Sequence, residues 1–479
     1  MVIFPILLAL FSGLLLLWLC NQYKYLNIFE QIALWFISAL ALFVLELFLQ
    51  GVILNHLSLL FPIITFVVLL GLFIYKGAKK SWYIQEILAS IKVTFIDIWK
   101  QFMSLKPRKR YIVLWIIVYA LIKMVMLFSI NMNMPTFDED AVSGRDMKTK
   151  IFASTQSLVL DKTSSEFFWT DYGRYPFAGI TDTYFLLPYW EFVNGIWNII
   201  SSLMYLFAFF LLFGIFLRKT NLFVAVLSWY IFTSLPFVFI HGFGSYRNFP
   251  AGVFLFVFVF YLIDQLFHLE KEYWGNTKIL LPILLVWFLS GVTRNEGVML
   301  TGISFLAVII LYHIFKKWQT KEIKYQLRPL ISIAFWYILN KIIFNFYPAG
   351  TVLNTWGTNI NIELVNSFFK NIGQPGIFVA PFQQMFYHPD YILLFVLFSI
   401  ALIMFFINFK KMKSIRLIFW IILFLLFVFM FVLYSNFQSL WLLTHYAFIR
   451  YPVSIILFLI YFIWSVTYIC YENKKLTSY

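Results

Sequence analysis

Apolar runs of about twenty residues recur along the whole chain, separated by short polar or charged segments. This feature constrains the fold more than any other. Hydrocarbon offers no water to peptide groups, so such runs must satisfy their own hydrogen bonds as helices. Only 12% of residues are charged, against 62% hydrophobic, roughly half the charge of a soluble domain. The expected fold is therefore all-α: a polytopic transmembrane bundle of about thirteen spans. They are predicted near 2–20, 31–53, 58–76, 111–131, 192–217, 221–240, 249–267, 279–292, 297–315, 329–346, 391–408, 416–434 and 451–469. Residues 2–20 lack a basic leader and read as a retained first span.

The net charge of +15 does not point to nucleic acid, because the cations lie in clusters between apolar runs. Residues 76–110 carry nine Lys and Arg; Arg218 and Lys219, Lys316 to Arg328, Lys410 to Arg416, and Lys474 with Lys475 follow. The predicted spans put all of these clusters on one side. The positive-inside rule makes that side cytoplasmic, with the N-terminus outside and the C-terminus inside, as in a bacterial-type plasma membrane. Residues 81–104 repeat apolar side chains at helical spacing, including Ile84, Leu88, Ile91, Phe95 and Phe102. They predict an amphipathic helix lying on the inner surface. Residues 1–110 thus read as three N-terminal spans plus this helix. Residues 111–479 read as a transmembrane core with outer loops at 132–190 and 347–390.

The same sidedness gathers most remaining polar residues outside. "FDED" (137–140) follows the 111–131 span, and "HGFGSYRN" (241–248), "TRNEG" (293–297) and "THYAFIRYP" (444–452) share its face. An ionised Asp can accept the proton of an attacking hydroxyl. A guanidinium can steady charge developing on a departing phosphate through charge-assisted hydrogen bonds. Asp138 with Glu139, and Arg247, Arg294 and Arg450 at outer helix ends, are the candidates for these roles. Glu296, Lys148 and Lys150 are further candidates for substrate contact. Simpler roles stand beside these: Asp138 as a helix cap, Arg294 and Glu296 as a local ion pair, Arg247 and Arg450 reaching toward headgroups. Glu46, Lys123 and Lys341 lie in or near predicted spans, where ionisable groups are costly. Cys20 and Cys470 form no disulfide framework or cysteine metal site, and no phosphate-binding glycine motif is present.

"FDEDAVSGRDMKTKIF", "YGRYPFAGITDTYFLLPYW", "GSYRNFPAGVFLF", "GVTRNEGVMLTG" and "HYAFIRYPVSIILF" occur in that order. Together they resemble the GT-C superfamily of membrane glycosyltransferases. The similarity is to the branch using polyprenyl-phosphate-linked sugars, such as protein O-mannosyltransferases and aminoarabinose transferases. The resemblance covers about 111–470, and the acidic motif follows the fourth predicted span rather than the first. It implies an inverting transfer from a lipid-linked sugar to a glycan, lipid or protein acceptor on the outer face. Asp138 would be the base and Glu139 the second acid. No metal is implied for a monophosphate donor. A pyrophosphate donor would bring in Mg²⁺ or Mn²⁺, with Asp138, Glu139 and Asp140 as oxygen ligands. A transporter or flippase of lipid-linked glycans is the competing class, and an oligosaccharide polymerase or ligase is a variant of the enzyme reading.

Overall fold

A computed structural model describes residues 3–20, 26–77, 83–133, 146–159, 177–189, 199–243, 248–268, 362–373, 391–409 and 455–477. It also describes positions 191, 193, 195–196, 285–286, 289, 379, 383, 389, 412, 415–416, 418–423 and 425–426. Among these residues there is helix and no strand. The N-terminal elements are α1 (Ile3–Leu19), α2 (Ile28–Leu54), α3 (Leu60–Gly77), α4 (Tyr83–Ser104) and α5 (Pro107–Asn133). Next come α6 (Asp146–Thr155), α7 (Phe177–Leu186), α8 (Ile199–Lys219), α9 (Leu222–Ser234), α10 (Pro236–Phe243) and α11 (Asn248–His268). Then follow α12 (Ile362–Ile372), α13 (Ile392–Ile407) and α14 (Ile456–Thr477).

Among the described residues three helices, α2, α5 and α8, are long and apolar enough to cross a membrane, and α9 with α10 counts as a fourth if the pair is one broken span. These helices mark an integral membrane protein. Five shorter apolar helices accompany them. The predicted spans 297–315 and 329–346 lie outside the described residues, and those at 279–292 and 416–434 lie largely outside them.

Local sequence explains where the helices begin and bend. Asn27 caps α2: its side chain accepts from the Phe29 and Glu30 N–H groups, and Glu30 reaches back to the Asn27 N–H. The helix therefore starts three residues before the predicted 31–53 span. Pro107 opens α5, where its missing N–H costs nothing. The predicted continuous span 221–240 is instead two helices bent by 71°. Leu235 adopts an extended backbone because Pro236 disfavours helix in the residue before it and cannot donate to the preceding turn. The 192–217 span also changes: its helix starts at Ile199 and runs to Lys219. The amphipathic helix predicted at 81–104 is α4.

Between helices in lipid, hydrophobicity gives little net attraction, so close packing decides. Gly13 brings α1 onto the Trp35 carbonyl of α2, with no room for a Cβ. Gly214 of α8 lies under the start of α2, where a Cβ would come within 2.7 Å of Asn27 and Glu30 atoms. Along the α2–α8 seam, Phe36 stacks on Phe207 at 4.3 Å. Phe43 meets Tyr184 and Phe48 meets Phe177, both on α7. Thus α1 and α2 share one hydrophobic core with helices that follow residue 111. Helix α8 is buried almost throughout, while α5 leaves a whole side exposed, including Leu114, Trp115, Val118, Ile122 and Val125.

The contacts define two ends of the bundle. At one end, the Gln101 side chain accepts from Leu222 N–H (2.7 Å) and the Lys109 ammonium lies 4.8 Å from the Phe223 ring. The cationic clusters of 106–110 and 218–219 are therefore neighbours, as their shared sidedness predicts. At the other end, Tyr184 donates to the Pro5 carbonyl (2.8 Å), Leu57 N–H to Gln156 O (2.6 Å), and Asn131 to Gly195 O (3.4 Å).

Candidate functional site

Asp138, Glu139, Asp140, Arg247, Arg294, Glu296 and Arg450 lie outside the described residues. The elements beside them are described. The acids belong to the link between the end of α5 at Asn133 and the start of α6 at Asp146. Arg247 immediately precedes α11. Two predicted residues fall on α6, and the structure separates them: Lys148 is buried, whereas Lys150 is exposed.

Helix α6 packs on α7. Gly179 makes room for the Lys148 stem, whose Cγ would lie 3.1 Å from a Cβ at that position. Beside it, the Thr149 hydroxyl donates to Asp182 Oδ2 at 3.4 Å. Lys148, Thr149 and Asp182 are all buried. A buried polar group needs a hydrogen-bond partner, and Thr149 supplies one to Asp182 where α6 packs on α7. Sequence reasoning misses Asp182. Its flanking residues, "ITDTYF", read as an ordinary loop-to-span transition, and only the packing of α6 reveals its burial.

A second charged group occupies the opposite end. Arg218 meets Glu30 through two hydrogen bonds of 2.9 Å, Nε to Oε2 and Nη2 to Oε1. Its Nη2 also lies 2.8 Å from Asp264 Oδ2, and Lys219 Nζ lies 2.7 Å from Asp264 Oδ1. The Tyr261 hydroxyl donates to Glu30 Oε1 at 2.9 Å. Asn27 completes the set by donating to the Gly214 carbonyl. Arg218 and Lys219, read as a topology cluster, are also ion-paired across α2, α8 and α11. Two carboxylates match two cations with their lone pairs largely used, which is the arrangement of a structural clamp.

Two ionisable residues noted within predicted spans also acquire neighbours. Glu46 accepts a 2.6 Å hydrogen bond from the Thr65 hydroxyl of α3. The Lys123 ammonium lies 4.4 Å from the Phe239 ring centre and 5.8 Å from that of Tyr119. Phe239 belongs to α10, just past the bend. Lys341 lies outside the described residues.

Among the described residues, no group of three or more His, Cys, Asp or Glu is placed to hold a metal ion. Cys20 and Cys470 are both buried. Comparison with family models, curated proteins and solved structures finds no match to the chain.

Proposed function

We propose that this chain is an inverting membrane glycosyltransferase. In this reading about thirteen spans cross the bilayer, with the N-terminus outside and the C-terminus in the cytoplasm. It moves a sugar from a polyprenyl-phosphate donor to a hydroxyl of a glycan, lipid or protein acceptor at the outer face. Asp138 takes the acceptor proton as the new bond forms at the anomeric carbon. The bond to the lipid phosphate breaks in the same displacement, and Arg247, Arg294 and Arg450 receive the charge that develops there. Glu139 is the second acid of the catalytic pair, and Glu296, Lys148 and Lys150 supply further substrate contacts. A pyrophosphate donor would add Mg²⁺ or Mn²⁺ at Asp138, Glu139 and Asp140.

The observation that carries this reading is the course of α5. The helix has 27 residues, about 40 Å of length against a hydrocarbon core of about 30 Å. It starts at the cationic cluster 106–110, and the acidic link follows its far end. The link then enters α6, which turns Lys148 inward against α7. In this reading the acidic link leaves α5 at the end opposite that cationic cluster.

The test is transfer of labelled sugar by the full chain in proteoliposomes, supplied with a polyprenyl-phosphate sugar and a hydroxyl acceptor. Asp138→Asn is expected to lower the rate about a hundredfold or more while the protein stays monodisperse. Equal rates would remove the assignment of the base. One observation favours the transporter class: Lys123 sits beside a broken span, and transporters build their sites from broken helices near mid-membrane. Movement of the lipid-linked glycan between leaflets without sugar transfer would identify that class.

A further inference from the structure

Helix α4 carries more apolar surface than the bundle covers. Ile98 and Phe102 pack against the core, and the Phe95 ring lies 6.4 Å from that of Phe29 on α2. The Gln101 side chain accepts from the Leu222 N–H at 2.7 Å. Phe29 and Leu222 stand in the first turns of α2 and α9. Two contacts about 9 Å apart along α4 thus meet two helix starts at one end of the bundle. The helix lies across that end rather than alongside a span.

A second apolar arc of α4 is left uncovered. Leu88, Ile96, Trp99 and Met103 are 43–62% exposed and fall within about 80° of one another around the helix. Cations border this arc. Lys92, Lys100, Lys106 and Arg108 are exposed, and none of them forms an ion pair among the described residues. The other two cations of the elbow are engaged within the protein. Lys109 lies over the Phe223 ring, and Arg110 donates to the Met103 and Leu105 carbonyls at the end of α4. Arg110 so fastens the first turn of α5 to the last turn of α4. Residues 83–110 hold six cations against two acids, Glu86 and Asp97. Asp97 accepts from the Gln101 side chain of its own helix at 2.9 Å.

We propose that α4 and its elbow to α5 form a docking surface for anionic phospholipids of the adjoining leaflet. The apolar arc enters the acyl boundary, and Lys92, Lys100, Lys106 and Arg108 meet the phosphodiesters. The depth suits that contact. These cations stand at the end of the bundle and ahead of the apolar stretch of α5, at headgroup level. Lys92 lies within the arc, so its stem follows the apolar surface while its ammonium reaches the headgroups. Trp99 on the same arc is the residue type that anchors helices at such an interface. Phosphatidylcholine offers the same acyl chains and phosphodiester but carries its own cation, so the excess of cations selects phosphatidylglycerol. In the sidedness read from the cation clusters this is the inner leaflet. The binding assumes nothing about Asp138, and lipid retention and sugar transfer are separate readouts.

The probe is phosphatidylglycerol, titrated onto the full chain in detergent alongside phosphatidylcholine and followed by native mass spectrometry. Wild type is expected to retain phosphatidylglycerol about tenfold more strongly. Combining Lys92→Gln, Lys100→Gln, Lys106→Gln and Arg108→Gln should abolish most of the preference, whereas changing the three lysines to Arg should keep it. Neutralising Lys410, Lys411, Lys474 and Lys475 instead should leave it intact. No preference in wild type, or an equal loss in both neutralised chains, overturns the proposal. A second measurement keeps all four cations. In a chain carrying Cys20→Ser and Cys470→Ser, spin labels are placed at Ile96→Cys and, separately, Asp97→Cys. In vesicles of phosphatidylglycerol with phosphatidylcholine, the label at 96 should be open to oxygen, and its neighbour at 97 to a water-soluble nickel chelate. A label at 96 as open to the chelate as that at 97, or closed to both reagents as under a protein partner, overturns the proposal.

Discussion

At the scale of single residues, the ion network of Glu30, Arg218, Asp264 and Lys219 gives the sharpest expectation. Glu30 is fully buried and the Arg218 side chain 24% exposed, so removing one partner strands the other. Arg218→Ala should cost about 3–5 kcal/mol, read as a clear fall in the thermal midpoint in detergent. The paired change Glu30→Gln with Arg218→Met should recover much of that loss, because it removes both charges together. An Arg218→Ala protein as stable as wild type would show that the network is not the clamp described. Little of this was legible in the sequence. Arg218 was visible as a cation at a span end, but Glu30 lies 188 residues away, and nothing local to either residue announces the other. Glu46 was legible as a carboxyl within a span. Its partner Thr65 was not, because that hydroxyl arrives from a different helix, α3, and only the packing of α2 against α3 brings the two together.

At the scale of elements, helix positions were largely readable because hydropathy and capping act locally. The capping box at Asn27 and Glu30, the amphipathic period of α4 and the proline at the start of α5 are all written within a few residues. The bend was less visible. Hydropathy continues unbroken through 221–240, and only Pro236 signals that the helix must stop at Leu235. Helix pairing was not readable at all, since it depends on which small residue faces which backbone. Two glycines separate these effects. Gly13 faces the Trp35 carbonyl, while Gly71 on α3 has open space where a Cβ would stand. Gly13→Ala should push α1 from α2 and cost about 1–3 kcal/mol through overpacking. Gly71→Ala should be neutral or slightly stabilising, through the better helix propensity of alanine. Equal effects at the two sites, in thermal unfolding of the single variants, would refute the close α1–α2 contact.

At the scale of the whole molecule, the open question is which end faces outward. The structure brings the 106–110 and 218–219 clusters to one end, with α6, α7 and the start of α1 at the other. Sequence made this division legible in outline, because cation clusters report topology even where no tertiary contact can be foreseen. The candidate site was less legible. Its acids and arginines are scattered along the sequence, and no local motif marked the buried Asp182 on α7. Sidedness can be tested without any assumption about catalysis. In a chain carrying Cys20→Ser and Cys470→Ser, single changes Met134→Cys and Thr220→Cys place one thiol just beyond α5 and one between α8 and α9. A membrane-impermeant maleimide added to intact cells should label Met134→Cys and leave Thr220→Cys untouched until the membrane is opened. The opposite pattern would put the acidic link in the cytoplasm. An outer-face transfer reaction would then have no base, whatever chemistry the acids could perform, because the acceptor and Asp138 would lie on opposite sides of the bilayer.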